Sequence, residues 1–338
     1  PSSFAASTFT HNIGGALTVN GTFSASTGTA NFNGSSDQAI SGSTTPVTFN
    51  NLTVNKSGTL STSNNLSIAG NLTVTAGTLD LGAFTADRSA SGGTLSVAAG
   101  ATLKVGGSNS FPANYTTNTL NATSTVEYRG TAQTVANQAY GHLTLSGGNT
   151  KTPAAGLTVN GDFTIATNTT FAAGSLTHAF GGSFTNNGTF AGGTSTAVFS
   201  ASGGGAIGGS SSTGFAAISI TTGVITLNTN ATATALTFQN NNVASSLTHA
   251  SGINLTVNGS VIINQASGGT VVHAWNVDAG TATITGNLTF TVTTNNSGRV
   301  ARMAITTGTV TVQGDVVMTN AFLAANSIID MSGGAGTL

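Results

Sequence analysis

The chain has 338 residues and a formal net charge of −1, and only 4% of its residues are charged, against roughly 25% in an ordinary globular domain. Seven Lys and Arg over that length are too few to track a phosphate backbone or an anionic lipid surface, so neither nucleic acid nor a membrane surface is an expected partner. With no cysteine there is no disulfide framework or thiolate metal site, and no apolar run reaches the roughly 18 residues of a membrane span.

The chain still carries 38% hydrophobic residues, including 17 Phe, so it can build a core and is not read as disordered. Along the chain, the first clear element is Leu17-Thr18-Val19-Asn20-Gly21 with Phe23 beyond it. Period-two alternation bounded by Asn-Gly reads as a short strand that ends in a turn. Residues 1–28 read as the tail of a preceding repeat, which makes a longer array the expectation. A unit over about 29–122 follows, with Phe32-Asn33-Gly34, Ala39-Ile40, Phe49, Leu52 and Val54. Inside it Leu66/Ile68, Leu72/Val74 and Leu79/Leu81 give three short strands, each a few residues after the last. That spacing predicts a three-sided coil of about 20 residues, hence about 17 coils and a rod on the order of 80 Å.

A second unit covers about 123–194. Tyr128-Arg129-Gly130 and Thr134-Val135 resemble Phe32-Asn33-Gly34 and Ala39-Ile40, with one residue of slippage. Tyr140, Leu143, Leu145, Leu157, Val159, Gly161 and Phe163 then repeat Phe49 through Leu72 at a constant offset of 91. A third unit spans about 195–338. There Ser246-Leu247-Thr248-His249-Ala250 returns Ser175-Leu176-Thr177-His178-Ala179 at an offset of 71, and Leu255-Thr256-Val257-Asn258-Gly259 returns the first motif. Repetition on this scale points to a single continuous solenoid.

The near-absence of charge separates this reading from a string of β-sandwiches, whose exposed edges want Lys and Glu as guards. The chain has three Lys and one Glu. In a solenoid each position stacks on its equivalent about 4.8 Å away, so a repeated charge repels itself, whereas Thr, Ser and Asn form ladders. The predicted fold is all-β, a parallel β-helix of about three short strands per coil.

The Leu-Thr-Val-Asn-Gly strands, the Phe49-Asn50-Asn51-Leu52-Thr53-Val54 type of segment and the Ser/Thr/Gly-rich turns resemble the repeat regions of large bacterial exported surface proteins, of the filamentous-haemagglutinin-like and autotransporter-passenger adhesin kind. The resemblance is one of pattern and composition over nearly the whole chain, and it carries no functional residues to transfer. It implies a β-solenoid acting as a stalk, adhesin or matrix fibre.

The chemistry-bearing residues are sparse. Asp37, Asp80, Asp87, Glu127, Asp162, Asp278, Asp315 and Asp330 are isolated in sequence, and catalysis needs titratable groups that converge. The nearest approach is Asp80, Asp87 and Arg88 with Lys104 about one coil on, read as a solvated turn. Glu127 and Arg129 share a strand face and read as a surface ion pair. His178 and His249 occupy equivalent repeats three to four coils apart, about 15 Å, too far for one metal, and read as exposed or corner residues. Gly203-Gly204-Gly205 and Gly333-Gly334 lack the Asp of a calcium roll. His273 and Trp275 share a strand face with Val271 and Val277. They are the one candidate contact, with Trp275 as a platform for a sugar ring or else a bulky core residue. The pairs Thr281/Thr283 and Thr309/Thr311 suggest an ice-binding face only if they stack on successive coils, which is not expected. Arg299 and Arg302, in residues 295–302, read as a loop between strands. No cofactor or metal is expected, and no enzyme. The expected function is that of a non-catalytic extracellular structural protein of the bacterial surface, associating end to end or continuing into further repeats. The alternative is a carbohydrate-binding or carbohydrate-active β-helix, with surface glycans as partner.

Overall fold

The computed structural model describes residues 3–5, 7–24, 26–265, 268–293, 298–319 and 326–338. It is an all-β parallel β-solenoid of about 14 turns with ~22 residues per coil, and the described residues contain no helix. The parallel β-helix with three strands to a coil is what the sequence forms. The coils are longer than expected, and so fewer than 17. Coil-to-coil partners are 20 residues apart at Asn51 and Asn71 but 28 apart at Thr248 and Asn276. The difference lies in excursions between strands, such as those after Val105 and after Asn264.

Chain contacts divide into two compact units, one of residues 1–155 with 166–169 and one of residues 156–165 with 170–338. In the first, the alternating apolar residues of each strand point inward and stack in register. Leu60, Leu79, Leu103, Val126 and Leu143 form one buried column. Phe32, Val54, Val74 and Val97 form a second. Val47, Leu66 and Ala86 line the third side. Full burial of such a side chain contributes about 1.5–3 kcal/mol, and the columns run from coil to coil.

The second unit is built alike, with Phe184–Asn186, Thr189–Ala191 and Thr196–Phe199 making one coil. In two coils the second and third sides fuse into single long strands, Thr213–Ile220 and Ala231–Phe238. One inner column runs Phe180, Phe199, Ile220, Phe238, Ile263 and Phe290. Another runs Ile225, Leu247, Trp275 and Met303. The turns between sides are tight enough to demand glycine in places: at Gly209 φ is 118°, and a Cβ there would lie 2.1 Å from the Asn186 carbonyl oxygen.

Candidate functional site

Most corner N–H groups bond to backbone of the neighbouring coil, but at several corners the backbone supplies no acceptor. Side chains of Asn and Asp supply the acceptor from the neighbouring coil. Asn51 Oδ1 accepts the Asn71 N–H at 2.9 Å, and Asn71 Oδ1 accepts that of Thr94 at 2.9 Å. Asn20, Asn187, Asn230 and Asn287 do the same for Ser43, Ser210, Asn254 and Asp315, each at 2.9 Å. The Asn of the Leu17–Gly21 motif is therefore a clamp between coils and not only a turn former.

Three of the eight acids are variants of this clamp. Asp37, Asp87 and Asp162 accept the backbone N–H groups of Thr59, Ala113 and Ser183 at 2.7, 2.8 and 2.8 Å. Asp80 caps its own turn through the Gly82 N–H at 2.9 Å, and Asp330 takes both the N–H and the hydroxyl of Ser332. Those two bonds hold the Asp330 carboxyl below its ordinary range. Among the described residues no group of three His, Asp or Glu stands close enough to hold a metal.

The first unit also carries a charged column. Asp80, Lys104 and Glu127 are in register on successive coils. Lys104 Nζ lies 2.9 Å from Glu127 Oε2, and Arg129 pairs with Asp80 at 2.7 Å. The expected pairing of Glu127 with Arg129 along one strand is replaced by pairing between coils, Glu127 with Lys104 of the adjacent coil and Arg129 with Asp80 two coils away. Of the predicted cluster, Asp80 and Lys104 are adjacent, whereas Asp87 and Arg88 lie on the strand Ala86–Arg88, on another side of the coil. Glu127 also accepts the Ser146 hydroxyl at 2.6 Å. Its carboxyl stays below its usual range because that bond and the Lys104 and Arg129 charges outweigh burial, the largest single influence and one that acts upward.

Two lysines missed in the sequence lie in the interior. Lys151 is fully buried, its Nζ donating to the carbonyls of Gly130, Thr131 and Gly148, and burial pulls its ammonium down to about 8. Lys56 donates to Ser36 O and to Gln38 Oε1, the latter at 3.2 Å, and burial lowers its pKa while the Asp37 charge acts the other way. Each lysine follows, one coil on, a buried Gln that braces a corner. Gln38 accepts the Gly34 N–H and donates to Ile13 O and Gly15 O. Gln133 accepts the Gly130 N–H and donates to Val105 O and Asn109 O. The one-residue slippage between the two segments is the span from Gly to Gln, four residues in the first and three in the second. The signal in the sequence was the Gln common to both segments, with a Lys one coil later.

The histidines and the tryptophan lie inside the second unit. His178 and His249 are buried, a correction to the exposed or corner placement. His178 accepts the Leu157 N–H at Nδ1 and donates from Nε2 to Ala173 O. His249 donates from Nδ1 to Ile253 O, and its Nε2 accepts the Trp275 indole N–H at 3.0 Å. Both rings are therefore neutral, and burial lowers both pKa values, that of His249 to about 4. The two stand in different columns, His178 beside Ala197 and His249 beside Leu227. His273 and Trp275, the candidate sugar contact, are each 0% exposed. The indole faces are enclosed and offer no platform to a sugar, so Trp275 takes the core role. The nitrogens of His273 lie 2.8 Å from Asn264 O and 3.1 Å from Val243 O.

Two further expectations change. Thr281 and Thr283 do stack on Thr309 and Thr311, and the outer column continues back through Thr256 to Thr232. Arg302 is not in a loop but within the strand Val300–Ile305. Residues 295–297 of the predicted loop lie outside the described residues. No family model, curated protein or solved structure matches this chain.

Proposed function

We propose that the chain is a non-catalytic structural protein of the bacterial surface, working outside the cell as a rigid fibre or stalk for adhesion, matrix or filament formation. The observation that carries this reading is where the polar groups go. Corner Asn and Asp side chains, buried Gln and Lys, and the four charged groups Asp80, Lys104, Glu127 and Arg129 all bind coil to coil. Such a chain is stiffened along its stacking direction, and five of its eight acids accept backbone N–H groups. The low charge and lack of cysteine of this chain, which suit an exported repeat protein of the kind it resembles, support the same reading.

End-to-end association or continuation into further coils belongs to the proposal. Its support is that inner columns present apolar side chains to solvent: Val316 and Met318, stacked on Leu288 and Phe290, are exposed, and Phe4, Ile13, Leu17 and Phe23 line an apolar recess of about 460 Å³. Open strand edges of this kind template further pairing. Electron microscopy of the protein as released from cells tests both parts. Uniform fibres or rods with an axial repeat of about 4.8 Å are expected; compact particles without that repeat, or protein retained wholly inside the cell, would overturn the reading.

A further inference from the structure

The strand Val272–Val277 turns His273 and Trp275 inward, and so turns Ala274 and Asn276 outward. On that outer side Val224, Ser246, Ala274 and Arg302 stand in register on four successive coils. They floor a groove of about 640 Å³, within the range of ordinary ligand pockets. At roughly 4.8 Å per coil the four rungs extend about 14 Å, and Gly203 and Gly204 add one coil more.

Three features set this groove apart from the rest of the solenoid surface. Val224, Val243 and Val272 line it while 55%, 50% and 37% exposed, an apolar strip on a molecule whose outer columns are elsewhere mostly polar. Val243 is held from below by the buried His273. Arg302 brings a guanidinium that makes no hydrogen bond or ion pair among the described residues, and its Nε is buried. The nearby Asp330 feels that charge, but Ser332 occupies its carboxylate. Asn276 donates its amide to Thr248 Oγ1 at 3.0 Å, which fixes its side chain and leaves a buried Oδ1 without a donor. Unpartnered buried polar atoms are uncommon in folded proteins.

We propose that this groove binds an acidic glycan, a sugar chain bearing carboxylate or sulfate groups. The Arg302 fork matches a planar or tetrahedral oxyanion. The valine methyls meet the C–H face of a ring, and Asn276, fixed by Thr248, lies on the groove wall beside them. A peptide is the poorer occupant, because the backbone groups of these strands are already paired between coils and leave no edge for strand addition. The groove belongs to the second unit alone, so the inference stands apart from whether the chain forms fibres.

Titration calorimetry on the full chain tests it, with oligogalacturonate, dextran sulfate, neutral dextran and polyglutamate as probes. Binding of oligogalacturonate, of dextran sulfate or of both is expected, and which of them binds identifies the oxyanion. Arg302→Gln should weaken it at least tenfold. Gly203→Trp gives a second line: a Cβ at Gly203 meets nothing within 4 Å, so the ring fills the groove without disturbing the coil, and a similar loss is expected. The proposal fails if neither acidic glycan binds, if dextran or polyglutamate binds as tightly, or if Gly203→Trp binds like the parent.

Discussion

In the coils from Phe163 to Phe215 phenylalanine dominates the interior, and in those from Ser245 to Ile305 the interior is mainly aliphatic, with Phe290, around His249, His273 and Trp275. In the first stretch the rings of Phe163, Phe180 and Phe184 lie 5.1–5.3 Å apart, and Phe190, Phe199 and Phe215 extend the cluster. Nothing in that filling titrates apart from the neutral His178 at its side. In the second stretch a chain of hydrogen bonds runs from the Trp275 indole through His249 to Ile253 O, while His273 sits between Asn264 O and Val243 O. The longer coils account for the difference. In these coils the carbonyls of Ile253, Asn264 and Val243 face inward, and imidazole nitrogens lie against them. One fold thus has a core that depends on shape and another that depends on protonation.

The largest effect expected is at the centre of the aromatic stretch. Phe184 meets the rings of Phe163, Phe180, Phe190, Phe199 and Phe215, so Phe184→Ala should cost about 3–5 kcal/mol. Hydrogen exchange should show the loss of protection in residues 163–215. A cost under 1 kcal/mol would mean that the cluster collapses freely and that shape does not govern this stretch.

Acid should act on the other stretch. The unfolded chain takes up a proton on His249 near pH 6.5, and the folded chain not until about 4, because burial holds the ring neutral. The stabilisation is therefore whole above pH 6.5 and is lost as pH falls from 6.5 towards 4, on the order of 3 kcal/mol in all. Trp275 is the only tryptophan, so its fluorescence reports this site directly. A red shift as pH drops from 7 to 4, with protection in residues 163–215 less affected, is the expected result. Emission unchanged over that range would remove protonation from the comparison.

These two cores were unequally legible in the sequence. The side-chain alternation and the scarcity of charge led to a parallel three-sided coil, since both follow from stacking strands at a fixed spacing. Alternation also placed His273 and Trp275 correctly on one face with Val277, but it does not say whether that face is inner or outer. Mean coil length misled more. At about 20 residues per coil Thr281 and Thr309 do not stack, whereas the actual step at Thr248 and Asn276 is 28 residues, and the Thr pairs fall into register. The same effect separates His178 from His249, which match in sequence but stand in different columns. The groove beside Arg302 was hidden for both reasons: its residues come from four coils of unequal length, and each lies opposite the residues that attract notice.

The smallest effect tests what the two stretches share. Asn187 clamps Ser210 in the aromatic coils, and Asn287 clamps Asp315 in the longer ones, both at 2.9 Å. If the corner clamp is independent of what fills the coil, Asn187→Ala and Asn287→Ala should each cost about 1 kcal/mol, the worth of one hydrogen bond to a backbone N–H otherwise left to water. Denaturant midpoints of the two variants, measured at pH 7 with His249 neutral, give the comparison. Equal shifts would make the clamp a constant of the solenoid and leave the interior as the source of the difference. A clearly larger loss for Asn287→Ala would mean that the long coils rely on their corners to offset looser packing, and the contrast between the stretches would then lie in their edges as much as in their cores.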